Sequence, residues 1–278
     1  MAKKSAEVSK AIKDVIQTMM DRVMNNVLSD DPFIADTHRA KKPLYAALVP
    51  DEIFKGSHFE RRFVTPFGGV WEKLAQVAAI KGLGKCELQK TISGNVPQER
   101  LRRITEILNK LEHAEKGKKD RIRPDWDSEL KYILEGGGKL IPVQVICDVY
   151  AEDLEKNKKY SFEIKAPLPN SDQSKVSKEK ILKLLAMKPL QVNASYFVLP
   201  YNPYGKKEDY KWAFPFRWFN MTKDKSVLIG EEFWDMIGGK GTYQLFISEL
   251  NKIGKKYRER IYKEYLGIQP NIIEDKIL

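Results

Sequence analysis

Residues 140–165 read LIPVQVICDVYAEDLEKNKKYSFEIK and predict two β-strands joined by a short polar turn. The strand candidates cover residues 140–151 and 159–166, and both are rich in Val, Ile, Tyr or Phe. In the second candidate, apolar side chains alternate with polar ones, so Glu163 and Lys165 share one face of the strand. The pattern therefore brings an acid and a lysine together on a regular element.

The turn between these strands sets their register. An antiparallel hairpin centred between Glu155 and Lys156 places Asp148 opposite Glu163, and directly paired residues point to the same face. Two carboxylates and Lys165 then converge, as phosphodiester cleavage with a hard divalent ion requires. A second interpretation stays open, in which Asp148 is a strand-end acid and the Glu163–Lys165 pair lies on a solvated sheet.

An acidic residue two positions before a lysine is weak evidence by itself, because the pattern occurs four times here. Glu129–Lys131 lies in a segment patterned more like a helix, and Asp209–Lys211 lies in a charged loop. Glu274–Lys276 lies near the end of the sequence. Only Glu163–Lys165 falls within a strand pattern.

The remaining patterns predict helices around this sheet. Helices are expected over residues 5–27, from near Gly69 to Gly82, and over 97–114, 175–187, 231–236 and 242–265, with further strands over 195–199 and 226–229 and irregular chain over 28–60. We expect a single α/β domain over residues 1–278. It comprises a helical extension over 1–60, a catalytic core over 63–200 and a C-terminal strand and helix region over 201–278.

Composition limits the classes of function. Lys and Arg outnumber Asp and Glu by 49 to 38, and the formal net charge of +11 favours a polyanionic partner. No apolar run has the length of a membrane span, and the N-terminal stretch is amphipathic, so we expect a cytoplasmic protein. Isolated histidines and two cysteines argue against a zinc site, and no GxxxxGK[ST] loop occurs. Hydrolytic chemistry here is expected to use carboxylates and lysine.

Several blocks that occur in order carry a resemblance to a known family. They are FEIKAPLPN (162–170) followed by Gln173, VLPYNPYG (198–205), and IGEEFWDMIGG (229–239) followed by Thr242 and Tyr243. With Asp148 and Glu163-Ile164-Lys165 they resemble the PD-(D/E)xK nucleases, and more closely the TdeIII-type family of type II restriction endonucleases. The likeness spans roughly residues 63–254.

This resemblance implies a restriction-endonuclease-like core, with a mixed central sheet flanked by helices and added N- and C-terminal helices. It also implies that Asp148, Glu163 and the main-chain carbonyl of Ile164 hold Mg²⁺, which Mn²⁺ can replace. Lys165 is expected to orient the attacking water and to stabilise charge on the phosphate.

Three further positions leave alternatives open. Glu72 matches the acidic residue that an early helix often adds to such sites, but it is equally a first-turn glutamate favoured by the helix dipole. Gln173 is either a contact of Lys165 or a polar residue at a helix start. The proline before the first acid is replaced by Cys147, and Asp125, which does follow a proline, is a substitute for Asp148.

The resemblance implies that the partner is double-stranded DNA, cut by a homodimer at a GGNCC-like palindrome to leave 5′-phosphates. A cognate DNA methyltransferase is the expected genetic partner, without required contact. The basic residues that could contact DNA form a pool: Arg61, Arg62, Arg102, Arg103, Lys116, Lys118, Lys119, Arg121 and Arg123.

Three other functions compete with this one. The first is a repair or nicking nuclease of the same superfamily. The second is a catalytically silent nucleic-acid-binding protein, against which the complete set of Asp148, Glu163 and Lys165 argues. The third is a membrane-surface protein using the helix over residues 5–27, whose acidic residues suit anionic lipid poorly.

Overall fold

The computed structural model describes residues 2–114 and 121–269. Lys116, Lys118 and Lys119 of the basic pool lie outside the described residues. The chain divides into two compact units, one formed by Met1–Leu74 with Gln244–Leu278 and the other by Ala75–Tyr243. Within the described residues, no helix is both long and apolar enough to cross a membrane.

Helices lie at each of the places where the sequence pattern predicted one, and further helices occur in the described residues. Their bounds are α1 Ala2–Asn25, α2 Ala35–Lys41, α3 Pro43–Ala46, α4 Asp51–Gly82, α5 Gln98–Glu112, α6 Trp126–Leu134, α7 Ser171–Ala186, α8 Glu231–Gly238 and α9 Thr242–Arg260. π-Helical turns over Asn26–Asp30 and Ile261–Leu266 follow α1 and α9.

The second unit contains a five-stranded mixed sheet in the order β1-β2-β3-β4-β5. The strands are β1 Gly84–Pro97, β2 Leu140–Asp153, β3 Lys158–Ile164, β4 Ala194–Leu199 and β5 Val227–Ile229. Strand β2 runs antiparallel to both β1 and β3, whereas β3, β4 and β5 run parallel to one another. The expected mixed sheet flanked by helices is therefore confirmed.

The hairpin of β2 and β3 has the predicted register. Val149 pairs with Phe162 and Glu152 with Lys159, so the next position along the strands brings Asp148 level with Glu163. Asp153 stabilises the turn because its carboxylate accepts hydrogen bonds from the main-chain N–H groups of Glu155 and Lys156.

Strand β3 is buried on both faces. Every residue from Tyr160 to Ile164 is buried, as expected for a strand with one antiparallel and one parallel neighbour under covering helices. The alternative interpretation of Glu163 and Lys165 as an ion pair on a solvated sheet is therefore wrong.

The prediction of irregular chain over 28–60, with a helix starting near Gly69, is wrong. Helices α2 and α3 lie in that stretch, and α4 begins at Asp51 and continues through Pro66. Aromatic residues recur at every fourth position of α4 (Phe59, Phe63, Phe67 and Trp71), and successive ring centroids lie 6.3, 5.3 and 4.8 Å apart. Phe59 and Trp71 also make tertiary ring contacts, with Tyr265 and Phe246, and this packing supports the helix through Pro66 and the paired glycines.

The apolar stripe of α1 is buried within the first unit, as the helix pattern predicted. Val8, Ile12, Ile16 and Val23 are all buried there. On α1, the Ser9 hydroxyl donates a hydrogen bond to Glu249 of α9, and the Asp21 carboxylate accepts one from the Tyr257 hydroxyl of α9. The interpretation of α1 as a helix docked on its own core is thus confirmed.

Candidate active site

Asp148 and Glu163 lie side by side where the β2–β3 ladder ends. The last paired residues are Val149 and Phe162, and beyond them the main-chain N–H of Ile164 donates to Asp148 Oδ2 at 2.9 Å. A side-chain carboxylate therefore takes the place of the next ladder bond. This contact fixes Asp148 against β3 beside the buried Glu163.

Two lysines close the cluster. Lys165, the first residue after β3, places Nζ 2.7 Å from Asp148 Oδ2 and 3.6 Å from Glu163 Oε2. Lys180 on α7 donates to both oxygens of Glu163 at 2.7 Å, and its Nζ lies 3.8 Å from Asp148 Oδ1. The site thus contains two acidic and two basic groups in mutual contact.

Burial dominates the electrostatics of Glu163. Its side chain is 1% exposed, and burial raises its pKa to about 7, with the neighbouring Asp148 carboxylate acting in the same direction. The ammonium groups of Lys165 and Lys180 oppose this shift. The positive charge beside the carboxylates therefore favours the ionised form of Glu163 against the effect of burial.

The donor set of this cluster suits a hard divalent cation. Asp148 and Glu163 offer carboxylate oxygens, the ligand type that Mg²⁺ prefers, and Mg²⁺ commonly keeps several waters beside one or two carboxylates. No group of three or more His, Cys, Asp and Glu arranged to hold a metal occurs among the described residues. The ammonium groups of two lysines already contact these oxygens, so the carboxylates form a site that binds positive charge.

Strand β1 is irregular beside the site. Leu88 pairs with Val149 and Lys90 with Cys147, which leaves Gln89 level with Asp148. Gln89 has a φ of 50°, in the left-handed region that a glutamine adopts only at a cost. The backbone distortion of β1 therefore falls at the position of the first acidic residue.

Gln173 has a structural contact that accounts for it. Its side chain accepts from the main-chain N–H of Asn170, whose own side chain accepts from the Gln173 N–H at 2.8 Å. This reciprocal pair is a capping box that starts α7. Gln173 thus occupies the helix-start position that was one of its two interpretations.

The other two predicted acids lie on helical elements, Glu72 within α4 and Asp125 at the start of α6. Glu72 is half-buried in the interior of α4, in the first compact unit, so its interpretation as a first-turn glutamate is wrong because α4 begins at Asp51. Asp125 is the N-cap of α6, where its carboxylate accepts from the Ser128 N–H at 3.2 Å.

Several members of the basic pool have acidic partners. Arg62 pairs with Asp31 in the first unit. On α5, Arg102 and Arg103 both contact Glu99, at 2.7 and 3.2 Å. Arg61 is exposed on α4, and Arg121 and Arg123 are exposed before α6. The positions of these residues do not select one of them for DNA contact.

The aromatic-rich stretch after β4 belongs mainly to the core. Trp218 and Trp234 are fully buried, and the Trp212 indole N–H donates to the Pro169 carbonyl. In the 198–205 block, Asn202 Oδ1 accepts from the Tyr204 N–H, the turn contact expected for asparagine. These residues shape the fold around α7.

Sequence reasoning missed Lys180. A helix was predicted over 175–187 and lies over Ser171–Ala186, but it carries lysines at 175, 178, 180 and 183 and no local pattern distinguishes them. The structure separates them: Lys178 is fully buried against Glu129, whereas Lys180, about 200° further round the helix, reaches the carboxylates. Lys180 could have been found by searching for a further lysine on the helix that follows the strand with the acidic-x-Lys pattern.

Comparison with known proteins gives one family. The profile described as type II restriction endonuclease, HinfI, matches residues 8–254. The chain is 24% identical to the type II restriction enzyme HgiCII of Herpetosiphon aurantiacus over 228 residues, which cover 81% of this chain and 82% of that protein.

Two further relatives have the same description. The type II restriction enzyme HgiBI of Herpetosiphon aurantiacus is 22% identical over 218 residues, covering 77% of each chain. The type II restriction enzyme MjaII of Methanocaldococcus jannaschii is 26% identical over 192 residues, covering 63% of this chain and 49% of that protein. These matches support the assignment of the chain to the type II restriction endonucleases. The narrower likeness to the TdeIII-type family stays a prediction.

Proposed function

The chain belongs to the HinfI family of type II restriction endonucleases, and we propose that it cuts both strands of duplex DNA at one short sequence in a Mg²⁺-dependent reaction. The observation that carries the proposal is the contact of Asp148, Glu163 and Lys165 at the end of one hairpin. The same three residues stand in the order and spacing of the PD-(D/E)xK signature.

In the proposed mechanism Asp148, Glu163 and the Ile164 carbonyl hold Mg²⁺. When bound, the ion supplies Lewis-acid chemistry, lowering the pKa of water and offsetting charge on the phosphate. Asp148 is held for this task by the Ile164 N–H, and Glu163 by its burial in β3. Mn²⁺ is expected to substitute, since it accepts the same oxygen ligands.

Lys165 is the first residue after β3, and its ammonium contacts both acids. Its Nζ is part-buried and 2.7 Å from Asp148 Oδ2, so it can donate a hydrogen bond to a water or a phosphate oxygen beside the carboxylates. We assign it to orienting the attacking water and to offsetting the negative charge that grows on the phosphate. The products carry 5′-phosphate and 3′-hydroxyl ends.

The narrower features of the proposal rest on the TdeIII-type resemblance. They are a GGNCC-like palindromic target, a homodimer in which each subunit cuts one strand, and a cognate DNA methyltransferase encoded as the genetic partner. Glu72 remains a proposed further acidic group on the same ground. An unchanged cleavage rate in the Glu72→Gln variant removes it from the site.

The test compares three proteins on unmethylated phage DNA, with Mg²⁺ and with EDTA: the wild type, Lys165→Ala and Lys131→Ala. Lys131 is the matched control because it also stands two residues after a glutamate, yet lies exposed on α6. We expect discrete bands that require Mg²⁺ for wild type and Lys131→Ala, and none for Lys165→Ala.

The other outcomes assign other functions. A smear or single-strand nicks from wild type would keep the nuclease site and remove the restriction function. No cleavage in Mg²⁺ or Mn²⁺, with DNA still shifted on a native gel, would favour a catalytically silent DNA-binding protein. Sequencing the ends of discrete fragments tests the GGNCC-like target.

A further inference from the structure

Lys180 contacts both oxygens of one carboxylate in the site described above. Its Nζ bonds both carboxylate oxygens of Glu163 at 2.7 Å and approaches Asp148 Oδ1 to 3.8 Å. A bidentate contact of this kind engages the oxygens that a cation bound by Glu163 must use. Lys180 and the cation therefore compete for the same ligand.

The charge balance of the site indicates a second role for Lys180. Without cation or DNA, the charges of Asp148 and Glu163 are balanced by those of Lys165 and Lys180. A divalent cation bound to the two carboxylates neutralises them and leaves both lysines uncompensated. A phosphodiester gains one negative charge on nucleophilic attack, from one to two, so two lysines match the transition state better than one.

We propose that Lys180 is a second active-site lysine, which pairs with Glu163 until the divalent cation binds and then contacts a non-bridging oxygen of the scissile phosphate. This inference rests on the proposed nuclease function and deepens it.

The position of Lys180 on α7 suits a group that changes partners. The helix is fixed at its start by the Asn170–Gln173 capping box and on its inner face by the buried Lys178. The Lys180 side chain is 26% exposed, so part of it lies at the surface of the protein. A flexible four-carbon stem lets that ammonium move by several ångström without moving the helix.

A purely structural counter-ion makes a different prediction. If Lys180 only holds Glu163 in place, its removal disorders the carboxylate, and cation affinity and cleavage fall together. If Lys180 competes with the cation and then serves the phosphate, cation affinity rises while cleavage falls. A rise in cation affinity together with a fall in cleavage rate therefore distinguishes the proposal from the structural role.

The experiment uses Lys180→Met, which keeps the stem and removes the charge, with Lys183→Met as the matched control. Lys183 lies on the same helix and pairs with Glu179 at 2.6 Å, away from the carboxylates. Mg²⁺ binding to the DNA-free protein is measured by isothermal titration calorimetry, and single-turnover cleavage is measured at saturating Mg²⁺.

We expect Lys180→Met to bind Mg²⁺ about tenfold more tightly, since a competing unit charge is lost at contact distance. We expect its cleavage rate to fall about 100-fold, the usual size of the loss of one charge-stabilising group. Lys183→Met should match wild type in both. Unchanged or weaker Mg²⁺ binding by Lys180→Met overturns the proposal, and so does cleavage at the wild-type rate.

Two measurements keep the result interpretable. Lys180→Arg retains the charge, so it should fold, bind Mg²⁺ as wild type does and cleave faster than Lys180→Met; a rate no better than that of Lys180→Met counts against the phosphate contact. If wild type cuts no DNA, the proposed function fails. Calorimetry without DNA then still tests the competition for Glu163.

Discussion

The buried lysine of α7 provides a sharp test of what holds the site in place. Lys178 is 0% exposed, and its ammonium donates to the Trp218 carbonyl and lies 2.5 Å from Glu129 Oε2. It also lies 5.2 Å from the ring centroid of Phe219 and 5.8 Å from that of Trp126. Burial lowers the pKa of Lys178 and raises that of Glu129, so each charge depends on the other.

We predict that Lys178→Met destabilises the protein by about 3–5 kcal/mol, the usual cost of removing one partner of a buried ion pair. Methionine nearly preserves the volume of the lysine stem, so the loss comes from the uncompensated Glu129 and only slightly from a cavity. Replacing both partners, as in Lys178→Met with Glu129→Gln, removes that charge and should recover at least about 2 kcal/mol.

Urea unfolding at pH 7, followed by circular dichroism, measures these free energies. Lys183→Met is the control on the same helix, where a part-exposed pair contributes at most about 1 kcal/mol. A loss below about 1 kcal/mol in Lys178→Met, or a double variant as unstable as the single one, would refute the argument that a buried charge pair anchors α7 and with it Lys180.

Two further predictions concern single groups near α7. Gln173→Ala removes one half of the capping box and should cost about 0.5–1 kcal/mol in urea unfolding, while the cleavage rate stays within about twofold of wild type; a rate lowered about 100-fold would instead restore the catalytic interpretation of Gln173. Burial raises the pKa of Asp224 from 3.8 to about 6, so its contribution to stability is fully present below about pH 4 and is lost as pH rises through about 6. Asp224→Asn keeps an acceptor for the Asn220 N–H and should be more stable than wild type by up to about 3 kcal/mol at pH 8 but not at pH 4; equal stability of the two proteins at pH 8 would contradict the assignment.

The β2–β3 hairpin was predictable because its information is local. The polar turn and the alternation around Glu163 fix a register in which a slip of one residue would reverse every side chain. Asp148 lies fifteen residues before Glu163, and the structure has the predicted pairing of Val149 with Phe162. A short hairpin therefore revealed its two carboxylates and Lys165 without knowledge of the rest of the fold.

Strand β1 and the start of α4 were not predictable in the same way. Residues 84–97 carry an alternation of apolar and polar side chains, but Lys90 and Gly94 interrupt its apolar face, and the strand is completed only by its pairing with β2. Its exposed side chains form ion pairs such as Lys85–Glu152. In α4, Pro66 indicates a break by local propensity, whereas the helix packs through Phe59 against Tyr265 and through Trp71 against Phe246. Tertiary packing outweighs single-residue preferences of about 1–3 kcal/mol in both cases.

The sequence by itself determined the hairpin, its register and three of the four charged groups at its end, because strand alternation and turn chemistry act over a few residues. Only the tertiary structure decided that Lys180 is the fourth. Lys178 and Lys180 are both lysines on one predicted helix, and the direction each faces depends on how α7 packs against Trp218 and β3. That packing minimises the exposure of apolar surface over the whole second unit, which no local pattern encodes.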